Sequence, residues 1–238
     1  TIFIETVYKI KIIRKIIMHI NVKNLLKIEE NVKSKLKKIN NLNKIPKIVA
    51  VSKTFKMNDI MPFIEHGHIH YGENKVQEAQ LKWTEIKKKN KNIKLHLIGK
   101  LQTNKVKVAV KLFDYIHSLD SEKLANKISN QQKEYNLRTK LFIQVNIGDE
   151  DQKSGINKAD VYKFYEYCKE LDLDILGLMC IPPFNEDSSD YFNEMRKICE
   201  KLQLQELSMG MSSDYLNAID YGSVSYTHLR AHETGGYL

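Results

Sequence analysis

IVAVSK, residues 48–53, is the stretch on which the fold turns. Its apolar, β-branched residues run without a polar break and stop at a serine and a lysine. Such a run suits a strand buried on both faces, as in a parallel sheet covered by helices. A helical pattern follows at 57–67, and the rhythm then repeats at HIHYGEN (68–74), LHLIG (95–99), YIHSLD (115–120), TKLFIQVN (139–146), LDILGLMCI (173–181) and ELSMGM (206–211). Helical spacing of apolar positions recurs between them, at 75–90, 121–134, 157–170, 187–202 and 213–221, and a Lys/Asn-rich amphipathic helix precedes them at 18–43. Seven strand–helix units and a further beginning at Gly222–Val224 predict an α/β chain. The expected form is a (β/α)8 TIM-type barrel in a single domain, its last strand corrupted by a foreign C-terminal tail. A doubly wound open sheet shares the alternation, but SKTFKMND lacks the glycine-rich dinucleotide turn that would follow its first strand.

The 238 residues suffice for one large core. A formal charge of +9 raises the question of nucleic acid. The excess is mostly lysine dispersed along helices, with no aromatic-basic interleaving, so no nucleic-acid partner is expected. Three cysteines at wide spacing (Cys168, Cys180, Cys199) support neither a disulfide framework nor a zinc site, and suit a reducing compartment. No apolar stretch reaches the ~18–20 residues of a membrane span. The mitochondrion is the expected location should residues 1–17 be a presequence, but their isoleucines and Glu5 argue against that. The chain therefore divides into an extension (1–17), the barrel (18–224) and a tail (225–238). SYTHLRAHETGGYL has neither strand nor helix periodicity and resembles translated adapter sequence, so neither His228 nor His232 is taken as a ligand.

Barrel chemistry collects at the carboxyl ends of strands. Those ends supply Ser52-Lys53, Gly72-Glu73-Asn74, Gly99-Lys100-Leu101-Gln102, Asp120, Asn146, Met179 and Met209-Gly210-Met211-Ser212. Lys53 closes an apolar run, and partial removal from water favours the neutral amine that attacks an aldehyde. In SMGMSSD (208–214) a strand end, a glycine and hydroxyls lead into a helix expected to start near Ser212 or Ser213, an arrangement that suits phosphate. A serine cap with Asp214 in the first turn explains the same residues without a ligand. His68 and His70 share one strand face, but the other strand ends add no further ligands, so no metal is expected. His96 reads as a hydrogen-bonded core residue, Glu73 as an acid–base group or a lysine's ion-pair partner, and Trp83 as outer-ring packing.

The motifs AVSKT (50–54), YGENKVQEAQLK (71–82), HLIGKLQTNK (96–105), IHSLDS (116–121), QVNIGDEDQKSGI (144–156), GLMCIPPF (177–184) and LSMGMSSDYLNAIDYGS (207–223) occur in one order over 44–223. In this the chain resembles the pyridoxal phosphate homeostasis proteins, whose barrel is similar to the N-terminal domain of alanine racemase. The resemblance implies that pyridoxal 5′-phosphate (PLP) is held on Lys53 as a Schiff base. It further implies that Asn74 lies beside the cofactor and that Ser208, Gly210, Met211 and Ser212 surround the phosphate. No residue is implied to be catalytic. The implied role is vitamin B6 homeostasis without a defined catalysed reaction, by a cytoplasmic monomer whose partners are PLP and PLP-dependent apoenzymes. The sequence departs from the family after Ser223, where an Arg-x-Gly segment leading to an (Ile/Leu)-Phe-Gly ending is expected. A PLP-dependent amino-acid racemase is the rival reading, though no room remains for that enzyme's second β-domain. A Schiff-base aldolase without cofactor is another.

Overall fold

The computed structural model describes residues 22–40, 45–150, 154–184 and 186–223, and the backbone of 227–230. A helix over 22–38 (α1) precedes β1 (Ile48–Val51), α2 (Met57–Glu65), β2 (His70–Glu73), α3 (Val76–Lys89), β3 (Lys94–Leu97) and α4 (Val106–Leu112). Then follow β4 (Tyr115–Leu119), α5 (Glu122–Tyr135), β5 (Lys140–Asn146), β6 (Ile156–Asn157), α6 (Val161–Glu170), β7 (Ile175–Met179), α7 (Ser188–Lys201), β8 (Glu206–Ser208), α8 (Tyr215–Asp220) and β9 (Thr227–Arg230).

The strand order is β8-β7-β5-β4-β3-β2-β1-β9, with the two-residue β6 set against the end of β5. Every described pair is parallel. Neighbours in the sheet are thus neighbours in the chain, as in a barrel and unlike a doubly wound sheet, whose strand order reverses. Parallel pairing also brings every carboxyl strand end to one side of the molecule.

Helices pack on the outer strand faces through residues spaced three and four apart: Val76, Ala79 and Trp83 on α3, Leu124, Ala125 and Ile128 on α5, Phe192, Met195 and Cys199 on α7. Inside the ring a separate apolar cluster joins Val49, Tyr115, Phe142 and Met179. Met179 is thereby a core residue and not part of a polar mouth. Gly177 permits the β7–β8 contact, because a Cβ there would lie 1.8 Å from the Glu206 carbonyl oxygen.

The tail departs from expectation. Thr227–Arg230 forms a strand that pairs with β1 over four positions, from Ile48↔Thr227 to Val51↔Arg230. Parallel pairing uses main-chain groups, which any proline-free segment supplies, so the missing periodicity did not preclude it. Among the described residues β9 pairs with β1 alone, and no ladder joins it to β8. Side-chain contacts bridge that seam instead. The Lys47 ammonium lies 2.8 Å from the Glu206 carboxylate, Lys35 pairs with Asp220 at 2.6 Å, and the Asn31 amide donates to the Tyr215 hydroxyl at 3.2 Å. Residues 1–17 and 231–238 lie outside the described residues.

Candidate functional site at the carboxyl ends of the strands

β1 runs into a tight turn, Ser52–Phe55, closed by the Phe55 N–H donating to the Ser52 carbonyl at 3.2 Å. Thr54 occupies its third position with φ +68°. A β-branched residue in the left-handed region is strained by about 1–2 kcal/mol, so the surroundings must hold it there. The Thr54 N–H donates to Glu78 Oε1 at 2.9 Å, and this bond, followed by Lys82, holds the Glu78 carboxyl below its ordinary range. The Thr54 hydroxyl donates to the Lys53 carbonyl at 2.5 Å.

Beneath the turn sits a buried carboxylate. Glu73 Oε1 accepts from the Ser52 hydroxyl (2.8 Å), the Trp83 indole N–H (2.8 Å) and the Lys82 ammonium (2.9 Å). Lys82 also donates to the Ser52 carbonyl at 2.8 Å. Of the two roles weighed for Glu73, the structure shows the ion pair. Trp83 does more than pack, since its indole helps clamp the strand end on which Lys53 sits. Lys53 itself is half-buried, and no described residue forms a hydrogen bond or ion pair with its amine. One lysine of this end is thus consumed by structure, while another at the rim has no partner among the described residues.

Asn74 follows β2 and is half-buried. Gly99 presses on it, for a Cβ at 99 would come within 2.3 Å of the Asn74 carbonyl oxygen. Asn146 is occupied with its own loop, donating to the Glu150 carbonyl at 3.0 Å and accepting from the Glu150 N–H at 3.2 Å. At the end of β4, burial raises the Asp120 carboxyl above its usual range while the Lys100 ammonium opposes the shift.

Beyond β8 the chain turns at Gly210, whose φ is +94°. The Met211 N–H donates to Asp214 Oδ1 at 2.6 Å, and the Asp214 and Tyr215 N–H groups return to the Met211 carbonyl at 3.1 and 2.9 Å. The Ser223 hydroxyl pins the Met209 carbonyl at 2.8 Å. The helix starts at Tyr215, later than the expected Ser212 or Ser213, because this carboxylate-closed turn takes the place of a first helical turn. α8 has six residues, so what 208–212 presents is a glycine turn with hydroxyls rather than a helix end.

Three imidazoles and a hydroxyl form a file inside the barrel. His70 Nδ1 lies 3.0 Å from His96 Nε2, His96 Nδ1 lies 3.0 Å from His117 Nε2, and His117 Nδ1 lies 2.8 Å from Ser208 Oγ. His96 stacks on Tyr115 at 4.3 Å and His117 on Phe142 at 4.4 Å. His96 is the hydrogen-bonded core residue the sequence suggested. The file as a whole has no signature in any single stretch of sequence, although β2, β3 and β4 each carry a histidine at an inward position.

The alanine racemase N-terminal domain family matches residues 24–231. The pyridoxal phosphate homeostasis protein of Aquifex aeolicus is 38% identical over 187 residues, covering 74% of this chain and 81% of that protein. Its namesake in Pasteurella multocida is 34% identical over 211 residues, 84% of this chain and 91% of the other. The chain belongs to the pyridoxal phosphate homeostasis protein family. A solved structure of PipY from Synechococcus elongatus PCC7942, with PLP bound, is similar at TM-score 0.72 and 31% identity, over 84% of this chain and 97% of that one. AVSKT, the GEN of YGENKVQEAQLK, and SMGMSSD, three of the seven stretches on which the sequence resemblance rests, lie at the carboxyl end of the barrel.

Proposed function

We propose that this protein holds PLP at the carboxyl mouth of its barrel and serves cellular PLP homeostasis as a carrier. The Lys53 amine condenses with the cofactor's aldehyde, releasing water and leaving a Schiff base. The Gly210 and Met211 main chain with the Ser208 and Ser212 hydroxyls receives the phosphate, and Asn74 lies beside the ring. When bound, PLP supplies a conjugated electron sink that the protein itself lacks.

The observation that carries this reading is the contrast between two lysines. Lys82 is locked to Glu73, Glu78 and the Ser52 carbonyl, whereas Lys53 is posed on a strained turn with its amine uncommitted among the described residues. The residues fit the cofactor on a second count: the Gly210 turn, with its positive φ and neighbouring hydroxyls, stands at the same barrel end as Lys53. No described group of three or more His, Cys, Asp or Glu could hold a metal ion, and Lys53 needs none for this step. In the same reading the protein is a cytoplasmic monomer that passes PLP to dependent apoenzymes, which the three buried cysteine thiols support as regards a reducing compartment. Residues 225–238 are taken as a non-native tail standing where the family's final strand belongs.

Absorbance spectroscopy tests the proposal. Incubation with PLP should give a visible band characteristic of a lysine Schiff base, abolished in Lys53→Ala and unchanged in Lys75→Ala. A colourless wild-type complex, or a band that survives Lys53→Ala, overturns it.

A further inference from the structure

The turn that carries Lys53 contains a residue whose own chemistry disfavours its conformation. Ser52–Phe55 closes with the Phe55 N–H on the Ser52 carbonyl, and its third residue has φ +68°. A positive φ at that position marks a type II turn, which calls for glycine or asparagine. Here the residue is Thr54, branched at Cβ. The relaxed alternative is a type I turn, reached by rotating the peptide between Lys53 and Thr54 through about 180°. Burial does not force the strained form, since Thr54 is exposed. Polar contacts do. The Thr54 N–H donates to Glu78 Oε1 at 2.9 Å. Rotating the peptide would turn that N–H away and bring the Lys53 carbonyl oxygen toward the carboxylate, an acceptor against an acceptor. Glu78 is itself fixed by Lys82, one helical turn on. The Lys82 ammonium donates to Glu78 Oε1 at 3.2 Å, to Glu73 Oε1 at 2.9 Å and to the Ser52 carbonyl at 2.8 Å. Those contacts use all three of its N–H groups, and they tie Glu78 to the first residue of the turn.

The two turn types differ in the ψ of their second residue, about +120° against about −30°. That residue is Lys53, and the rotamers open to a side chain depend on its backbone φ and ψ. The bond at Thr54 thus limits the directions in which the Lys53 amine can point. We propose that Glu78 is a positioning residue for the cofactor: by accepting from the Thr54 N–H it selects the strained turn and keeps Lys53 poised for the aldehyde before PLP arrives, a role that rests on reading Lys53 as the Schiff-base residue. Without that acceptor a threonine at 54 relaxes, and the poised form is populated about 5- to 30-fold less. Apparent affinity falls in the same proportion, because only the competent fraction binds. Glycine at 54 changes the outcome. Lacking Cβ, it takes positive φ about as readily as negative, so the poised form again makes up about half of the population.

Full-chain variants would be titrated with PLP by the absorbance of the Schiff base, and hydrogen exchange of the Thr54 amide followed in the ligand-free protein. In the wild type that amide should exchange slowly although its residue is exposed, and Glu78→Ala should release it. Glu78→Ala should bind PLP about 5- to 30-fold more weakly. Thr54→Gly alone should bind as the wild type does, and the Glu78→Ala, Thr54→Gly double variant should recover to within about twofold. A carboxylate that only braced α3 would not be relieved by glycine at 54. Three results overturn the role of Glu78 and leave Lys53 standing: a Lys53-dependent band of wild-type affinity in Glu78→Ala, a double variant as weak as Glu78→Ala, or unprotected exchange of the Thr54 amide in the wild type. A band that survives Lys53→Ala overturns both.

Discussion

At Glu73 the carboxylate accepts from a serine, an indole and an ammonium in a space closed to water, directly beneath the turn that carries Lys53. Removing one partner of a buried pair strands the other charge, at about 3–5 kcal/mol. Glu73→Ala should therefore lower stability by that amount in urea unfolding and weaken PLP binding in parallel. A loss below about 1 kcal/mol would show that the hub is solvated. His70 sets a pH dependence. Its folded-state pKa of about 4 lies below the ordinary 6.5, so the unfolded chain binds the extra proton first. Stability from this group is complete above pH 6.5 and declines as pH falls toward 4, by about 3 kcal/mol. Urea midpoints measured across that range should fall, and His70→Gln should flatten the slope. The place of Lys53 just past a strand end was legible in the sequence because an apolar run visibly ends there. Of the Glu73 hub only an ion pair with a lysine was, since the serine and indole partners come from the end of another strand and from a helix ten residues on. The histidine file needs the register Gly72↔His96 between strands, which no single strand's periodicity contains.

Among the elements, strand centres were legible from continuous apolar runs, and strand ends were not. ELSMGM shortens to Glu206–Ser208 because Gly210 leaves extended geometry, and HIHYGEN shortens to His70–Glu73 because the His68 ring bonds back to the His70 carbonyl, 2.9 Å away. The late start of α8 has the same local origin, in the bond from the Met211 N–H to Asp214. The close fit of β7 on β8 gives a test at this scale. In Gly177→Ala the added methyl collides with Glu206 backbone, not with a side chain that could swing aside, and the strands must part. A loss of about 3 kcal/mol is expected, or a fall in Tm of about 6–12 °C for a domain of this size. Gly222→Ala meets nothing within 4 Å and pays only for its positive φ, about 1–2 kcal/mol. Equal losses for the two would contradict the packing described.

The whole molecule is a parallel ring fastened at one seam by ion pairs and a hydrogen bond instead of a described β8–β9 ladder. Its alternation was plain in the sequence. How the ring ends was not, because main-chain pairing of Thr227–Arg230 leaves no side-chain signature. If 225–238 stands in for the family's last strand, replacing it with a segment bearing the Arg-x-Gly pattern adds a charged phosphate contact. Such a hydrogen bond contributes about 1.5–3 kcal/mol, so equilibrium dialysis should show PLP held at least about tenfold more tightly. Unchanged affinity would remove the tail from the account. The central claim is that one amine, poised on a strained turn, takes the cofactor. Borohydride reduction of the PLP complex followed by peptide mass mapping tests it most directly. The account predicts a single stable adduct on the peptide containing Lys53. An adduct on Lys82 or another lysine, or none from a saturated complex, would contradict it.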